Sequence, residues 1–195
     1  MAQPDTVWTI GHSTRTIDEF TALLAHYRIE AVADIRRFPG SRRLPQFGKE
    51  SLRASLNEHD IDYVWIAELG GRRKPAADSV NTAWRNSSFR GYADHLATPE
   101  FAQGLEQLTQ LATRKRAVMM CAEVLWWRCH RALVSDALAV DGIQVLHIQD
   151  ETRVEPHPYT RPARLHRGHL TYDATRGEPL NASERNQATQ QTLDL

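Results

Sequence analysis

The chain has 195 residues, of which 41% are hydrophobic and 25% charged, enough for one domain with a sizeable core. No run approaches the roughly 18 apolar residues of a membrane-spanning helix, so no membrane partner is expected. The formal net charge of +0 removes any global electrostatic case for nucleic acid or anionic lipid, although all but three of the 24 basic residues are arginines, planar donors suited to carboxylate and phosphate.

In chain order, residues 7–10 are a short β-rich apolar run that stops at Gly11-His12-Ser13-Thr14, the pattern of a strand, a turn and a helix cap. Residues 18–26 carry Phe20, Leu23 and Leu24 at helical spacing. Residues 31–35 read as a buried strand that empties into a basic, turn-rich loop holding Asp34, Arg36, Arg37, Pro39, Gly40, Arg42 and Arg43. A helix over 49–59 and a strand over 62–66 follow, then a long irregular segment from Leu69-Gly70-Gly71 to about residue 88, a length usually kept for function. Residues 89–96 and 99–113 are predicted helices, the second opened by Pro99. A strand over 117–120 leads into a polar cluster, a helix over 131–140 leaves it, and a strand over 144–148 closes the alternation.

This alternation predicts a three-layer, Rossmann-like α/β fold with a mostly parallel sheet and helices on both faces. Residues 1–150 are expected to form one domain, 151–177 a C-terminal extension with a hairpin around Gly168, and 178–195 a disordered polar tail. A polar start, with no basic segment leading into an apolar core, gives the expectation of a cytoplasmic protein with free thiols.

Both cysteines fall in the cluster that follows the fourth strand, Cys121-Ala122-Glu123 and Arg128-Cys129-His130-Arg131. Carboxyl ends of parallel strands share one sheet edge, so His12 and Ser13, Asp34 to Arg37, and Cys121 and Glu123 are all expected to open there. Cys129, at a helix start and flanked by cations, is in surroundings that favour a thiolate. Cys121, Cys129, Glu123 and His12 are therefore the catalytic candidates, and Ser13, Asp34, Arg36, Arg37, Arg128, His130 and Arg131 the candidates for holding a small anionic or nucleotide-like substrate. Cys121 also fits a plain core role at the end of a buried strand.

Three segments together resemble the domain-of-unknown-function 488 family, DUF488: Thr9-Ile10-Gly11-His12-Ser13, Asp34-Ile35-Arg36 with Pro39 and Ser41, and Cys121-Ala122-Glu123 with Cys129-His130-Arg131. His157-Pro158-Tyr159-Thr160 and the Gly168 hairpin resemble that family's C-terminal segment. The resemblance implies an α/β fold and a shared site without a settled reaction or cofactor.

Three function classes stand beside each other at this level. The leading one is a cysteine-dependent enzyme. In the second, Cys121, Cys129, His130 and His12 hold zinc or iron, although the Cys-x7-Cys spacing matches no finger or ribbon. In the third, Trp84, Arg85, Phe89, Arg90 and Tyr92 interleave aromatic and basic groups as a nucleic-acid accessory surface would. The sequence identifies no oligomeric state.

Overall fold

A computed structural model describes residues 4–40 and 42–180 of the chain. Its elements run β1 (Thr6–Gly11), α1 (Ile17–His26), β2 (Ala31–Asp34), α2 (Lys49–Asn57), β3 (Asp62–Trp65), α3 (Ser87–His95), α4 (Pro99–Arg114), β4 (Ala117–Cys121), α5 (Arg131–Val140) and β5 (Gln144–Ile148). Short strands β6 (Val154–Pro156), β7 (Arg164–His166), β8 (His169–Thr171) and β9 (Glu178–Pro179) follow.

The main sheet has the order β3-β2-β4-β1-β5-β6, and every pair is parallel except β5 with β6. β4 is inserted between β2 and β1, so strands far apart in sequence become neighbours. Side chains alternate across the sheet and sort into two cores. On one face Trp8, Ile10, Val32, Val118 and Met120 pack under Phe20, Leu23 and Leu24 of α1 and Leu52 and Leu56 of α2. On the other Val7, Ala33, Met119 and Cys121 pack under Tyr92 of α3, Phe101, Leu108 and Leu111 of α4, and Leu133, Val134 and Leu138 of α5. The result is the expected α/β architecture, a mostly parallel sheet flanked by helices.

Local chemistry sets the helix starts. Thr16 and Glu19 form a reciprocal capping box at α1, Asn86 accepts the N–H groups of Ser88 and Phe89 at α3, and Thr98 caps α4 ahead of Pro99. The hairpin around Gly168 pairs His166 with His169 across Arg167 and Gly168, whose φ values of 51° and 79° suit the left-handed turn that matches strand twist. Glu178–Pro179 adds a third strand to that hairpin, and Leu180 is buried against the α3–α5 core, so the start of the expected tail is part of the fold. Residues 181–195 of that expectation, and Ser41 of the basic loop, lie outside the described residues.

Candidate active site

The order β2-β4-β1 brings the ends of those three strands side by side, and the hydrogen-bond ladder runs on past them. His12 N–H donates to the Cys121 carbonyl at 3.0 Å, Ser13 N–H to that of Ala122 at 2.9 Å, and Ile35 N–H to that of Met120 at 3.1 Å. The loop after Cys121 crosses directly over the end of β1. A Cβ on Gly11 would sit 1.9 Å from the Glu123 carbonyl oxygen, so only glycine admits this crossing.

The loop turns once through Trp126–Arg128 and brings Cys129 back beside Cys121. Both sulfurs face one nitrogen: His130 Nδ1 lies 3.6 Å from Cys129 Sγ and 3.9 Å from Cys121 Sγ. The other ring nitrogen, Nε2, is 3.0 Å from the Ile35 carbonyl, an acceptor only, so Nε2 carries a proton and Nδ1 is the nitrogen turned to the sulfurs. Glycine is again required nearby, because a Cβ on Gly71 would come within 2.7 Å of His130 Nδ1. The two thiols are pushed apart electronically. A hydrogen bond given to Cys129, together with burial, raises Cys121 well above an ordinary thiol. Burial pushes Cys129 up too, but the hydrogen bond from Cys121 and the charges of His130 and Arg131 outweigh it and take Cys129 well below.

A cavity of about 260 Å³ opens onto this cluster. Cys121, Cys129 and His130 form part of its lining, with Glu123 and four arginines, Arg36, Arg37, Arg72 and Arg128. Arg36 is 7% exposed, whereas Arg37, Arg72 and Arg128 are exposed. Arg72 and the aromatic Phe89 and Tyr92 were not among the sequence candidates for a catalytic pocket. The Gly70-Gly71 pair, of which Gly70 approaches Arg37 and Gly71 approaches His130 too closely for a Cβ, was the available signal for the loop that brings Arg72 in.

Of the remaining candidates, His12, Ser13, Asp34 and Arg131 do not line the cavity. The register explains His12. Gly11 pairs with Cys121, so the residue after Gly11 points to the opposite face of the sheet from the Cys121 thiol. There His12 stacks on Phe47 with ring centroids 4.1 Å apart, and its Nδ1 is 2.9 Å from the Ser13 carbonyl. Burial, reinforced by the Arg36 charge, lowers its pKa to about 4 despite that hydrogen bond. A neutral His12 therefore presents Nε2 as an acceptor to Arg36 Nη1 at 3.3 Å. Asp34, fully buried, clamps the same guanidinium through Nε at 2.8 Å and Nη2 at 2.6 Å, and also accepts from the Tyr63 hydroxyl at 2.7 Å. His12 and Asp34 thus position Arg36 at the cavity from behind.

Arg131 lies beneath the cysteine loop, 1% exposed. It donates to the carbonyls of Glu123 and Val124 and to the Thr9 hydroxyl at 3.1 Å, and among the described residues its Nε makes no hydrogen bond and no carboxylate is paired with it. Beyond Thr9 the contacts continue to His147 Nδ1 at 2.7 Å, from His147 Nε2 to His157 Nδ1 at 2.9 Å, and from His157 Nε2 to Asp136 at 3.0 Å. Asp136 also accepts from the Thr160 N–H and hydroxyl and from the Tyr172 hydroxyl, which ties the C-terminal segment to α5.

The aromatic residues of the nucleic-acid reading are engaged in packing. Tyr92 is buried and donates to the Leu69 carbonyl at 2.7 Å, and Trp84 stacks on Phe89 with centroids 4.6 Å apart. No helix among the described residues is long and apolar enough to cross a membrane.

No curated protein and no solved structure matches this chain. The family described as Domain of unknown function DUF488 matches residues 16–138, a span that holds Asp34, Arg36, both cysteines and His130. With well over half of its length inside that match, from the start of α1 into α5, the chain belongs to the DUF488 family.

Proposed function

We propose that the cavity is the active site of a cysteine-dependent enzyme acting on a small anionic substrate. The observation that carries this reading is the convergence of two buried thiols and one imidazole nitrogen on the floor of a cavity edged by four arginines. A volume of about 260 Å³ lies just under the roughly 300–1,000 Å³ of sites for drug-sized ligands, which favours a compact group such as a phosphate, or a carboxylate on a short chain.

The roles divide by position. Arg37, Arg72 and Arg128, all exposed on the lining, are placed to reach an anion, the first two from positions against the Phe38 ring, and Arg36, held rigid by Asp34 and His12, gives the fixed charge. Cys121, Cys129 and His130 are the reactive centre. Glu123, exposed and on the cavity lining, is the candidate for delivering or accepting a proton at the rim. His12 acts through Arg36 and is a positioning residue.

The test is equilibrium binding of inorganic phosphate, sulfate, short dicarboxylates and nucleoside monophosphates to the reduced protein. Arg128→Gln and Arg72→Gln, at exposed positions that support no core contact, should each weaken the best anion by about 10-fold or more, the worth of a charge-assisted hydrogen bond. Unchanged affinity for every anion in both variants rules the reading out.

A further inference from the structure

Cys129 and Cys121 are 3% and 7% exposed. Their sulfurs line the cavity floor and face the same His130 nitrogen, close enough to share one small ligand. We infer that Cys121, Cys129 and His130 form a three-ligand site for a thiophilic divalent cation, zinc by fit, with the fourth coordination position facing the cavity.

The nitrogen–sulfur distances are close to those of a tetrahedral site. With Zn–S of about 2.3 Å and Zn–N of about 2.05 Å, a tetrahedral angle puts sulfur and nitrogen about 3.6 Å apart. Here Nδ1 stands 3.6 Å from one sulfur and 3.9 Å from the other, and the three donor atoms lie within 4.8 Å of one another. The histidine is also prepared in the manner of a metal ligand. Its Nε2–H is anchored on the Ile35 carbonyl, which fixes the tautomer and aims the Nδ1 lone pair at the point between the sulfurs. The site opens on the cavity, whose lining includes both cysteines and His130.

Charge points the same way. Metal binding requires deprotonated thiols, and Arg131, buried at the start of α5, has no carboxylate partner among the described residues. Two thiolates, a neutral imidazole and a divalent ion sum to a neutral centre. Histidine and carboxylate side chains add no fourth donor to this group among the described residues, so the remaining position falls to water or to an anion held by the arginines. Three protein ligands with one open position is the arrangement of a catalytic zinc site, and it excludes His12, which lies on the other face of the sheet. Metal binding stands on the cluster alone. Only the role of the fourth position rests on the reading of the cavity as an anionic-substrate site.

The experiment uses the full chain, purified with a non-thiol reductant, stripped with chelator and titrated with Co²⁺. The expected result is a thiolate-to-cobalt charge-transfer band with the intense visible bands of a four-coordinate site, displaced stoichiometrically by Zn²⁺ and lost in Cys121→Ser, Cys129→Ser and His130→Ala. Because those variants risk misfolding, the wild-type protein supplies a second reading: iodoacetamide should modify the two thiols of the metal-free protein and neither in the zinc-loaded one. A reduced, folded protein that shows no such bands and equal alkylation with and without zinc overturns the inference, as do bands that survive loss of Cys129. Inorganic phosphate then separates the two readings. Cobalt bands that shift with phosphate support both, bands that ignore phosphate in a protein that binds no anion leave the metal site without the anionic-substrate reading, and anion binding without cobalt bands leaves the reverse.

Discussion

Removal of Arg36 should destabilise the fold before it says anything about substrate. The Asp34 carboxylate is fully buried, and the guanidinium of Arg36 supplies two of its hydrogen bonds, at 2.8 and 2.6 Å. Arg36→Ala leaves that carboxylate with the Tyr63 hydroxyl and the backbone N–H of residue 36, at 2.7 and 3.0 Å, and no positive charge. Breaking a buried pair in this way costs about 3–5 kcal/mol, because one uncompensated charge stays in the interior. Urea unfolding at neutral pH should therefore show a lower midpoint at an unchanged slope for Arg36→Ala. The double variant Asp34→Ala/Arg36→Ala should lose much less than the sum of the single ones, with a coupling of about 2–3 kcal/mol. A loss under about 1 kcal/mol, typical of an exposed pair, or additivity within about 0.5 kcal/mol, would refute the assignment of Arg36 as a clamped, buried cation. The exposed Arg128 and Arg72 are for the same reason the proper positions for measuring anion affinity.

Further outcomes follow from the groups behind the cavity. His12, neutral in the fold with a pKa of about 4 against 6.5 when unfolded, contributes stability at neutral pH that is lost as the unfolded chain takes up the proton. Between about pH 6.5 and 4 this amounts to at most roughly 3 kcal/mol, and His12→Asn should flatten the stability profile there; a profile as steep as that of the wild type contradicts it. Asp136→Asn turns four hydrogen bonds to a buried carboxylate into bonds to a neutral amide and should cost about 2–4 kcal/mol, with faster amide exchange at Thr160 and in the β7–β8 hairpin; an unchanged melting temperature argues against a structural anchor there. In the reduced, metal-free protein, ultraviolet thiolate absorbance should appear in two steps, Cys129 below and Cys121 above the ordinary thiol value of about 8.5, and a single step at that value would contradict the split.

The regular elements were readable because their residues announce them locally. The apolar runs at 117–120 and 144–148, the Pro99 start and the Gly168 turn all carry short-range signals that tertiary structure left standing. The candidate site was readable only as far as the sheet edge. Parallel topology implies that His12, Asp34 and Cys121 end at that edge, but which face each one takes depends on the pairing of Gly11 with Cys121, a relation across 110 residues that no local pattern encodes. Arg131 shows the same limit from another side. Its place next to Cys129 suggested an anion contact, whereas the close crossing of the loop over Gly11 draws the guanidinium under the loop carbonyls. The contacts of the histidines at 147 and 157 carried no local signal, since their partners Thr9 and Asp136 belong to other elements, and His157 stood out only through the resemblance of residues 157–160.

Arg131 and Asp136 begin and centre the same helix, both buried and of opposite charge, yet they do not touch. Between them stand a hydroxyl and two imidazoles, which join the guanidinium to the carboxylate through a continuous series of hydrogen-bond contacts. The arrangement is an ion pair drawn apart, with three intervening side chains holding its halves at a distance. A guanidinium clasped directly by a carboxylate would have its field cancelled on the spot. Here the negative end is parked beside Thr160 and Tyr172, and the positive end keeps its field for the sulfurs of Cys121 and Cys129.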